Sequence, residues 1–276
     1  MKNKTPLVSV VMPAYNTEKY IAEAIESILN QTFKDFEFII VDDGSTDNTL
    51  QIIKDYAKKD KRIKVLRNEK NLKICKSLNK GIREAEGKYI ARMDSDDSSL
   101  PTRLERQVEF MEKNPEYGVV GAFMELFDEN TGKVLGIRKY SDKDEVLKEK
   151  IFFYSPFAHP VTMIRKEAFY KVSFYKEVDF PSEDLNLWFR IGEKYKFSNI
   201  QKVLLKYRYH EKSTTGSRLK AMEKRANQLR WQNWRNPAYH FGAKAFLYNF
   251  FHLISIYLIP SKFKLWLFGK WRDKRK

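Results

Sequence analysis

The chain has 276 residues, of which 42% are hydrophobic and 14% aromatic, a composition that excludes a disordered protein. Its single cysteine, Cys75, excludes an internal disulfide and any multi-cysteine zinc site. The net charge of +16 is uneven, because residues 1–200 hold 34 Lys and Arg against 33 Asp and Glu, whereas residues 201–276 hold 18 against 3. The basic C-terminal part predicts an anionic partner.

The first hundred residues alternate apolar runs with helical patterns. Short runs rich in β-branched residues are typical of buried parallel strands, and they occupy residues 7–12, 36–41, 63–66 and 88–93. Between them, apolar residues recur at helical spacing over residues 18–31, 46–56 and 72–85. This alternation predicts an α/β fold with a mostly parallel, doubly wound central sheet flanked by helices.

The second hundred residues continue with a less regular pattern. We expect a helix from Pro101 to about residue 113, a strand near residues 119–127, and a polar stretch with one helix over 129–149. We also predict a strand at residues 158–164, an amphipathic helix at 183–194 and a final strand at 203–209.

An acidic cluster, Asp94-Ser95-Asp96-Asp97, directly follows the fourth predicted strand. Neighbouring carboxylates repel, so they stay ionised together only in water or around a cation. Oxygen ligands favour Mg²⁺ or Mn²⁺. We interpret Asp96 as a metal ligand, Asp94 as a ligand of the metal or of a ribose, Ser95 as donor-binding and Asp97 as supporting; the alternative is a solvated acidic turn.

Two more polar segments follow the first and second strands. Pro13-Ala14-Tyr15-Asn16 could simply end a strand, but Tyr15 could also stack on a nucleobase beside Pro13 and Asn16. Asp42-Asp43 could be an ordinary turn, or could accept a uracil N–H or a ribose hydroxyl. Because ligands bind at the carboxyl ends of parallel strands, we expect these segments to share one site with the acidic cluster.

Glu183-Asp184 opens a predicted helix, where acidic residues favourably complement the helix dipole. The alternative is that Asp184 is a general base for an attacking hydroxyl, with Glu183 in support. Two histidines are weaker candidates: His159 as a supporting residue, and His210 at the end of the last predicted strand.

Together these motifs resemble the inverting family 2 glycosyltransferases of GT-A fold, a family that includes enzymes of bacterial cell-surface polysaccharide synthesis. The similarity lies in Val8–Asn16, Val41–Asp47, Ala91–Asp97 and Glu183–Trp188, within about residues 7–210. It implies transfer from a nucleoside-diphosphate sugar, usually a UDP-sugar, to a glycan or lipid-linked hydroxyl. Asp94 and Asp96 would form the DXD pair, Asp42 or Asp43 would contact uracil, Asp184 would be the base, and His210 would help to hold the metal.

The chain departs from the family pattern at two places. Asn71-Leu72-Lys73 stands where the family often has Asn-x-Gly, and Val172-Ser173-Phe174-Tyr175 stands in place of a glycine-rich turn. The turn tends to border the sugar and the acceptor. Two other functions are alternatives: a non-catalytic membrane or nucleic-acid binding module on a degenerate fold, and a dehydrogenase, which the absence of a Gly-x-Gly-x-x-Gly turn disfavours.

The sequence divides into a catalytic domain, residues 1–217, and a basic, aromatic, helical tail, residues 218–276. The apolar stretch at 245–259 is too short to span a bilayer. Aromatic residues mixed with Lys and Arg favour an anionic membrane surface over nucleic acid. The alternative is a helical extension that packs on the domain or forms a dimer contact. The short apolar segment after the N-terminus is unlike a signal peptide, so we expect a cytoplasmic protein peripheral to the inner membrane face.

Overall fold

The structure, a computed structural model, describes residues 5–209, 218–260 and 263–264. The strands are β1 Val8–Ala14, β2 Phe36–Asp42, β3 Ile63–Arg67, β4 Tyr89–Arg92, β5 Ser98–Ser99, β6 Tyr117–Asp128, β7 Val134–Arg138, β8 Met163–Arg165 and β9 Lys196–Tyr209. The helices are α1 Ile21–Leu29, α2 Thr49–Lys59, α3 Ile74–Glu84, α4 Arg103–Lys113, α5 Asp144–Lys150, α6 Lys166–Val172, α7 Glu183–Gly192, α8 Leu219–Gln232 and α9 Ala243–Leu258.

The strands form one sheet in the order β3-β2-β1-β4-β8-β6-β9-β5, with β7 paired to β6. The first four of these strands are mutually parallel, as are β6 and β9, whereas β8, β5 and β7 pair antiparallel. The predicted α/β fold with a mostly parallel sheet is thus confirmed.

Both faces of the sheet are covered, and alternate residues of one strand enter opposite cores. In β1, Val10 and Met12 pack on the side of α1 and α4, whereas Val11 packs on the side of α3 and α7. This period of two, with buried apolar residues facing both sides, is what a doubly covered parallel strand requires. The covering helices leave the carboxyl ends of β1, β2 and β4 at one edge.

Five elements differ from the sequence predictions, among them the two-residue strand β5, which was not predicted. The polar stretch after β6 contains β7, whose Val134 and Ile137 are exposed, so the strand lacks the buried pattern on which the prediction relied. The strand predicted at 158–164 is shorter and later, because a 3₁₀ turn at His159–Val161 precedes β8. Helix α6 was not predicted, and β9 begins seven residues early because its first half pairs with β6.

The C-terminal helices pack on the same face of the sheet as α7. Leu229 and Ala245, from α8 and α9, and Tyr239 between those helices are buried in the α7-side core. The Tyr239 hydroxyl donates to the backbone oxygens of Trp188 and Phe189, at 3.0 and 2.8 Å. Within the described residues, no helix is long and apolar enough to cross a membrane.

Candidate active site

Three polar segments meet at the carboxyl edge of the parallel strands. Ala14 of β1 pairs with Asp42 of β2, and Val11 of β1 pairs with Arg92 at the end of β4. The segments 13–16, 42–46 and 94–97 therefore follow neighbouring strands, as the sequence predicted. Their geometry is consistent with one ligand site, while the role of each residue remains a prediction.

The loops after β1 and β2 are tied together through Asn16. Asn16 has a left-handed backbone, with φ of 52°, and its side-chain oxygen accepts the Thr46 N–H at 2.9 Å. Its own N–H donates to the Ser45 hydroxyl at 3.1 Å. Pro13 is half-buried behind this loop, whereas Tyr15 is 43% exposed. The Tyr15 ring is thus available for stacking, while Asn16 already shapes the loop.

The adjacent carboxylates Asp42 and Asp43 have different surroundings. Asp43 accepts hydrogen bonds from the Asn68 side chain at 2.8 Å and from the backbone N–H groups of Leu72 and Lys73, at 2.8 and 2.9 Å. Asp42 is fully buried, and its Oδ2 has no hydrogen-bond partner among the described residues, although Arg67 Nε lies 3.8 Å away. Asp43 therefore fixes the loop after β3, and Asp42 retains an acceptor oxygen for a ligand.

The acidic cluster after β4 is compact. Asp94, Asp96 and Asp97 each place a carboxylate oxygen within 4.8 Å of the others. Asp94 and Asp96 are half-buried, Asp97 is buried, and Ser95 between them is buried as well. Asp97 accepts the Arg208 backbone N–H at 2.9 Å through Oδ1. Its buried Oδ2 has no hydrogen-bond partner within the described part of the chain.

Three arginines surround these carboxylates, and the sequence analysis assigned none of them a role. Arg92, which is buried, forms an ion pair with Asp94, and the Arg208 guanidinium donates to the Asp96 backbone oxygen at 2.9 Å. Arg103, fully buried, donates to the Ser99 hydroxyl at 2.9 Å. Burial and the neighbouring Arg92 lower the pKa of Arg103 to about 9, so it remains charged at neutral pH. Buried cations therefore offset part of the cluster's negative charge.

Even with these arginines, the pKa values of Asp94 and Asp97 are raised. Burial raises the pKa of Asp97 well above its usual value, and the charges of Asp96 and Asp94 add to the effect. Burial also raises the pKa of Asp94, although Arg92 opposes the shift. Three close oxygen donors, one of them a buried atom without a partner, fit a hard divalent cation. His210, the other predicted metal ligand, lies outside the described residues.

Glu183 and Asp184 lie in the first turn of α7. The amphipathic pattern of α7 is as predicted, since Leu187, Trp188 and Ile191 are buried. Burial raises the pKa of Asp184, and the charge of nearby Arg92 opposes part of this shift. Burial and the charge of Asp184 together raise the pKa of Glu183 to about 7. Arg92 thus acts electrostatically on both the cluster after β4 and the start of α7.

His159 and Tyr175 form a second unit close to α7. The His159 Nε2 lies 2.7 Å from the Tyr175 hydroxyl, and the His159 ring packs edge-on to Trp188 at 5.8 Å. Burial lowers the pKa of His159 well below its usual value, and Arg92 lowers it further, so the ring is neutral. Tyr175 is the last residue of the segment that replaces the family's glycine-rich turn; no sequence motif marked it as a site residue.

Both departures from the family pattern place a non-glycine residue in a backbone conformation that favours glycine. Lys73 has φ of 74° and ψ of 165°, and Ser173 has φ of 70° and ψ of 161°. For residues with a Cβ this region is strained. At Lys73, the hydrogen bond from its N–H to Asp43 opposes relaxation.

Helix α8 contacts the segment that leads into α7. Arg225 forms an ion pair with Asp179, whose side chain is 1% exposed, and the Ser182 hydroxyl donates to the Met222 backbone oxygen at 3.1 Å. Arg218 also lies over the Phe180 ring, 5.1 Å from its centroid. The residues immediately before Glu183 and Asp184 are therefore held by the C-terminal part of the chain.

Comparison with known proteins agrees with these observations. The family model described as glycosyl transferase family 2 matches residues 9–173. An uncharacterized glycosyltransferase of Methanocaldococcus jannaschii is 38% identical over 92% of this chain and 88% of its own length. An Escherichia coli enzyme named UDP-Gal:alpha-D-GlcNAc-diphosphoundecaprenol beta-1,3-galactosyltransferase is 28% identical over 98% of both chains.

The fold is similar to that of S. aureus TarS, residues 1–349, solved in complex with UDP-GlcNAc. The TM-score is 0.69 at 24% identity, over 89% of this chain and 71% of that one. This likeness supports the GT-A architecture predicted from the motifs. With its matching family model, its close relatives and its acidic site at the sheet edge, the chain belongs to glycosyl transferase family 2 and is a glycosyltransferase.

Proposed function

We propose that this enzyme transfers a sugar, with inversion, from a UDP-sugar to a hydroxyl of a glycan or lipid-linked acceptor in surface polysaccharide synthesis. The observation that carries the proposal is the meeting of Tyr15, Asp42 and the Asp94–Asp97 cluster at one sheet edge. These groups match the three parts of a nucleoside diphosphate, namely a flat base, a hydrogen-bonding ring and an anionic diphosphate.

For the nucleoside, Tyr15 offers an exposed ring and Asp42 a buried acceptor oxygen. An acceptor at this depth suits the imide N–H of uracil, and a UDP-GlcNAc complex exists for a protein of the same fold. Asp43 is proposed to act indirectly, because its oxygens are engaged by the loop after β3.

For the diphosphate, Asp94 and Asp96, supported by Asp97, are the proposed ligands of Mn²⁺ or Mg²⁺. When bound, such a cation would supply Lewis-acid stabilisation of the departing diphosphate. Arg92 holds Asp94 in place, and Arg208 holds the backbone at Asp96. These contacts fix the cluster before any ligand arrives.

For the acceptor, Asp184 is the proposed general base, with Glu183 in support. A single-displacement transfer needs one base on the face opposite the leaving group. The raised pKa of Asp184 makes its carboxylate a stronger base than an ordinary Asp. His159, being neutral and fixed by Tyr175, is proposed to shape the sugar pocket rather than to exchange protons.

We further propose that the enzyme works in the cytoplasm on the inner face of the cell membrane, bound through the basic C-terminal segment. The support is the charge of that segment, 18 Lys and Arg against 3 Asp and Glu over residues 201–276. The E. coli relative is named for an acceptor with a diphosphoundecaprenol group. A lipid-linked acceptor and a membrane-bound enzyme are consistent with one another.

The test is UDP release from a panel of UDP- and GDP-sugars with Mn²⁺, with and without diphospholipid-linked acceptors. We expect one UDP-sugar to be turned over by the wild type and not by Asp96→Asn, while Asp55→Asn, at an exposed position on α2, retains activity. Product NMR should show the inverted anomer. Turnover by Asp96→Asn at the wild-type rate, or retention at the anomeric carbon, would overturn the proposal.

A further inference from the structure

Helix α9 is rich in apolar residues, and within the described part of the chain one side of it packs on the protein. Its inner face is fixed by Ala245, Asn249 and Ile256, which are buried. The Asn249 side chain donates a hydrogen bond to the Phe152 backbone oxygen at 2.9 Å. The only Lys, Arg, Asp or Glu in the helix is Lys244.

The outer face of α9 carries seven large apolar side chains, each 39–75% exposed: Phe246, Leu247, Phe250, Phe251, Ile254, Tyr257 and Leu258. Their spacing of three to four residues places them on one stripe, opposite the buried residues. A contiguous exposed stripe of this size on a charged protein marks an interaction surface.

The charges around this outer face identify the class of partner. The Lys220 Nζ lies 5.9 Å from the Tyr257 ring centroid, at the border of the stripe. The residues that follow the helix, 259–276, hold seven Lys and Arg and a single Asp. An anionic surface would be attracted to this border, whereas a second copy of the same basic segment would be repelled. The helix is about 24 Å long, so it lies along a bilayer rather than across it.

We propose that the outer face of α9 inserts into the surface of an anionic lipid bilayer. This deepens the proposed function by naming the membrane-binding surface. Large aromatic and aliphatic side chains enter the boundary between headgroups and acyl chains, while Lys220 at the border contacts lipid phosphates. Helix α8 touches both α9 and the segment before α7. The lipid-binding surface would therefore lie on the side of the protein where the C-terminal helices support α7.

The test is co-sedimentation of the full chain with vesicles of phosphatidylcholine alone or with one-third phosphatidylglycerol. We expect binding to the anionic vesicles, reduced roughly tenfold for each apolar side chain lost in Leu247→Asn with Phe251→Asn. Ile137→Asn, which removes an exposed apolar residue of β7, should bind as the wild type does.

Thermal unfolding and vesicle-free UDP release are measured on the same variants. Both should match the wild type, because neither Leu247 nor Phe251 lies in the proposed donor site; lipid binding is thereby separated from the proposed enzymatic function. Equal vesicle binding by the double variant and the wild type would overturn the inference. The inference would also be overturned if sedimentation equilibrium showed a dimer for the wild type and a monomer for Phe251→Asn, since the outer face of α9 would then bind a second copy of the chain.

Discussion

The ion pair between Arg225 and Asp179 provides a quantitative test of how the C-terminal helices support the site. Replacing Arg225 with Met keeps most of the side-chain volume but leaves the Asp179 carboxylate buried without its partner. The Asp179 side chain is 1% exposed and that of Arg225 is 20% exposed. Breaking a buried pair from one side costs about 3–5 kcal/mol, and the partial exposure of Arg225 favours the lower figure.

We therefore expect Arg225→Met to lower the free energy of unfolding by about 3 kcal/mol, which for a chain of this size lowers the melting temperature by roughly 6–12 °C. Combining Arg225→Met with Asp179→Asn removes the unpaired charge and should recover most of the loss. Lys224→Met, which removes an exposed charge from the same helix, is the matched control and should unfold like the wild type.

The same variant should also affect catalysis, because Asp179 lies four residues before Glu183. We expect kcat to fall at a temperature where the variant is folded, while KM for the donor changes little, since the proposed donor contacts lie at the sheet edge. Calorimetry and steady-state UDP release measure the two effects. An unchanged melting temperature, or a double variant no more stable than the single one, would refute the reasoning about the ion pair; an unchanged kcat would refute the positioning role.

Two further predictions concern backbone strain and pH. Lys73→Gly should raise the free energy of unfolding by about 1–2 kcal/mol in urea titrations, because it relieves the left-handed backbone; Lys76→Gly, in the interior of α3, should lower it by about 1 kcal/mol. Burial raises the pKa of Glu183 from 4.5 to about 7, so ionisation costs stability as pH rises between these values. Glu183→Gln should thus gain up to about 3 kcal/mol over wild type at pH 8 and little at pH 4.5. A destabilised Lys73→Gly, or a gain for Glu183→Gln independent of pH, would contradict these accounts.

Much of the fold could be predicted because its signals are local. The β1, β2 and β4 runs are mostly apolar, and each is followed by a polar segment, so the shared edge followed from strand–helix alternation alone. Strand β7 was missed for the converse reason: it is an exposed hairpin strand, held by backbone pairing with β6, and leaves no hydrophobic period.

The candidate site was predictable in position but less so in its internal contacts. The bond between Arg208 and Asp97 joins residues 111 positions apart, and no local pattern marks it. The adjacent carboxylates Asp42 and Asp43 look equivalent in the sequence. Only the fold shows that both oxygens of Asp43 accept hydrogen bonds from the backbone of the loop after β3. Among the arginines around the acidic cluster, Arg208 reaches Asp96 from a distant strand, so its contact has no local signal. Arg92, by contrast, lies two residues from its partner Asp94, so that ion pair did have a local signal in the sequence.

The residues after the predicted boundary at residue 217 share a hydrophobic core with the residues before it. The composition changes sharply there, which is a real feature of the sequence. Yet Leu229 and Tyr239 lie in the core beside α7, so we expect a truncation after residue 217 to expose that core and to impair folding as well as membrane binding.

In the proposed function, the Asp94–Asp97 cluster holds a metal ion, and this metal ion holds the diphosphate of the donor. Isothermal titration of UDP, with and without Mn²⁺, tests this claim for the wild type and for Asp96→Asn. We expect Mn²⁺ to raise the affinity of the wild type for UDP by at least about tenfold and to leave that of Asp96→Asn unchanged. Equal UDP affinity of the wild type with and without Mn²⁺, or the same enhancement in Asp96→Asn, would contradict it.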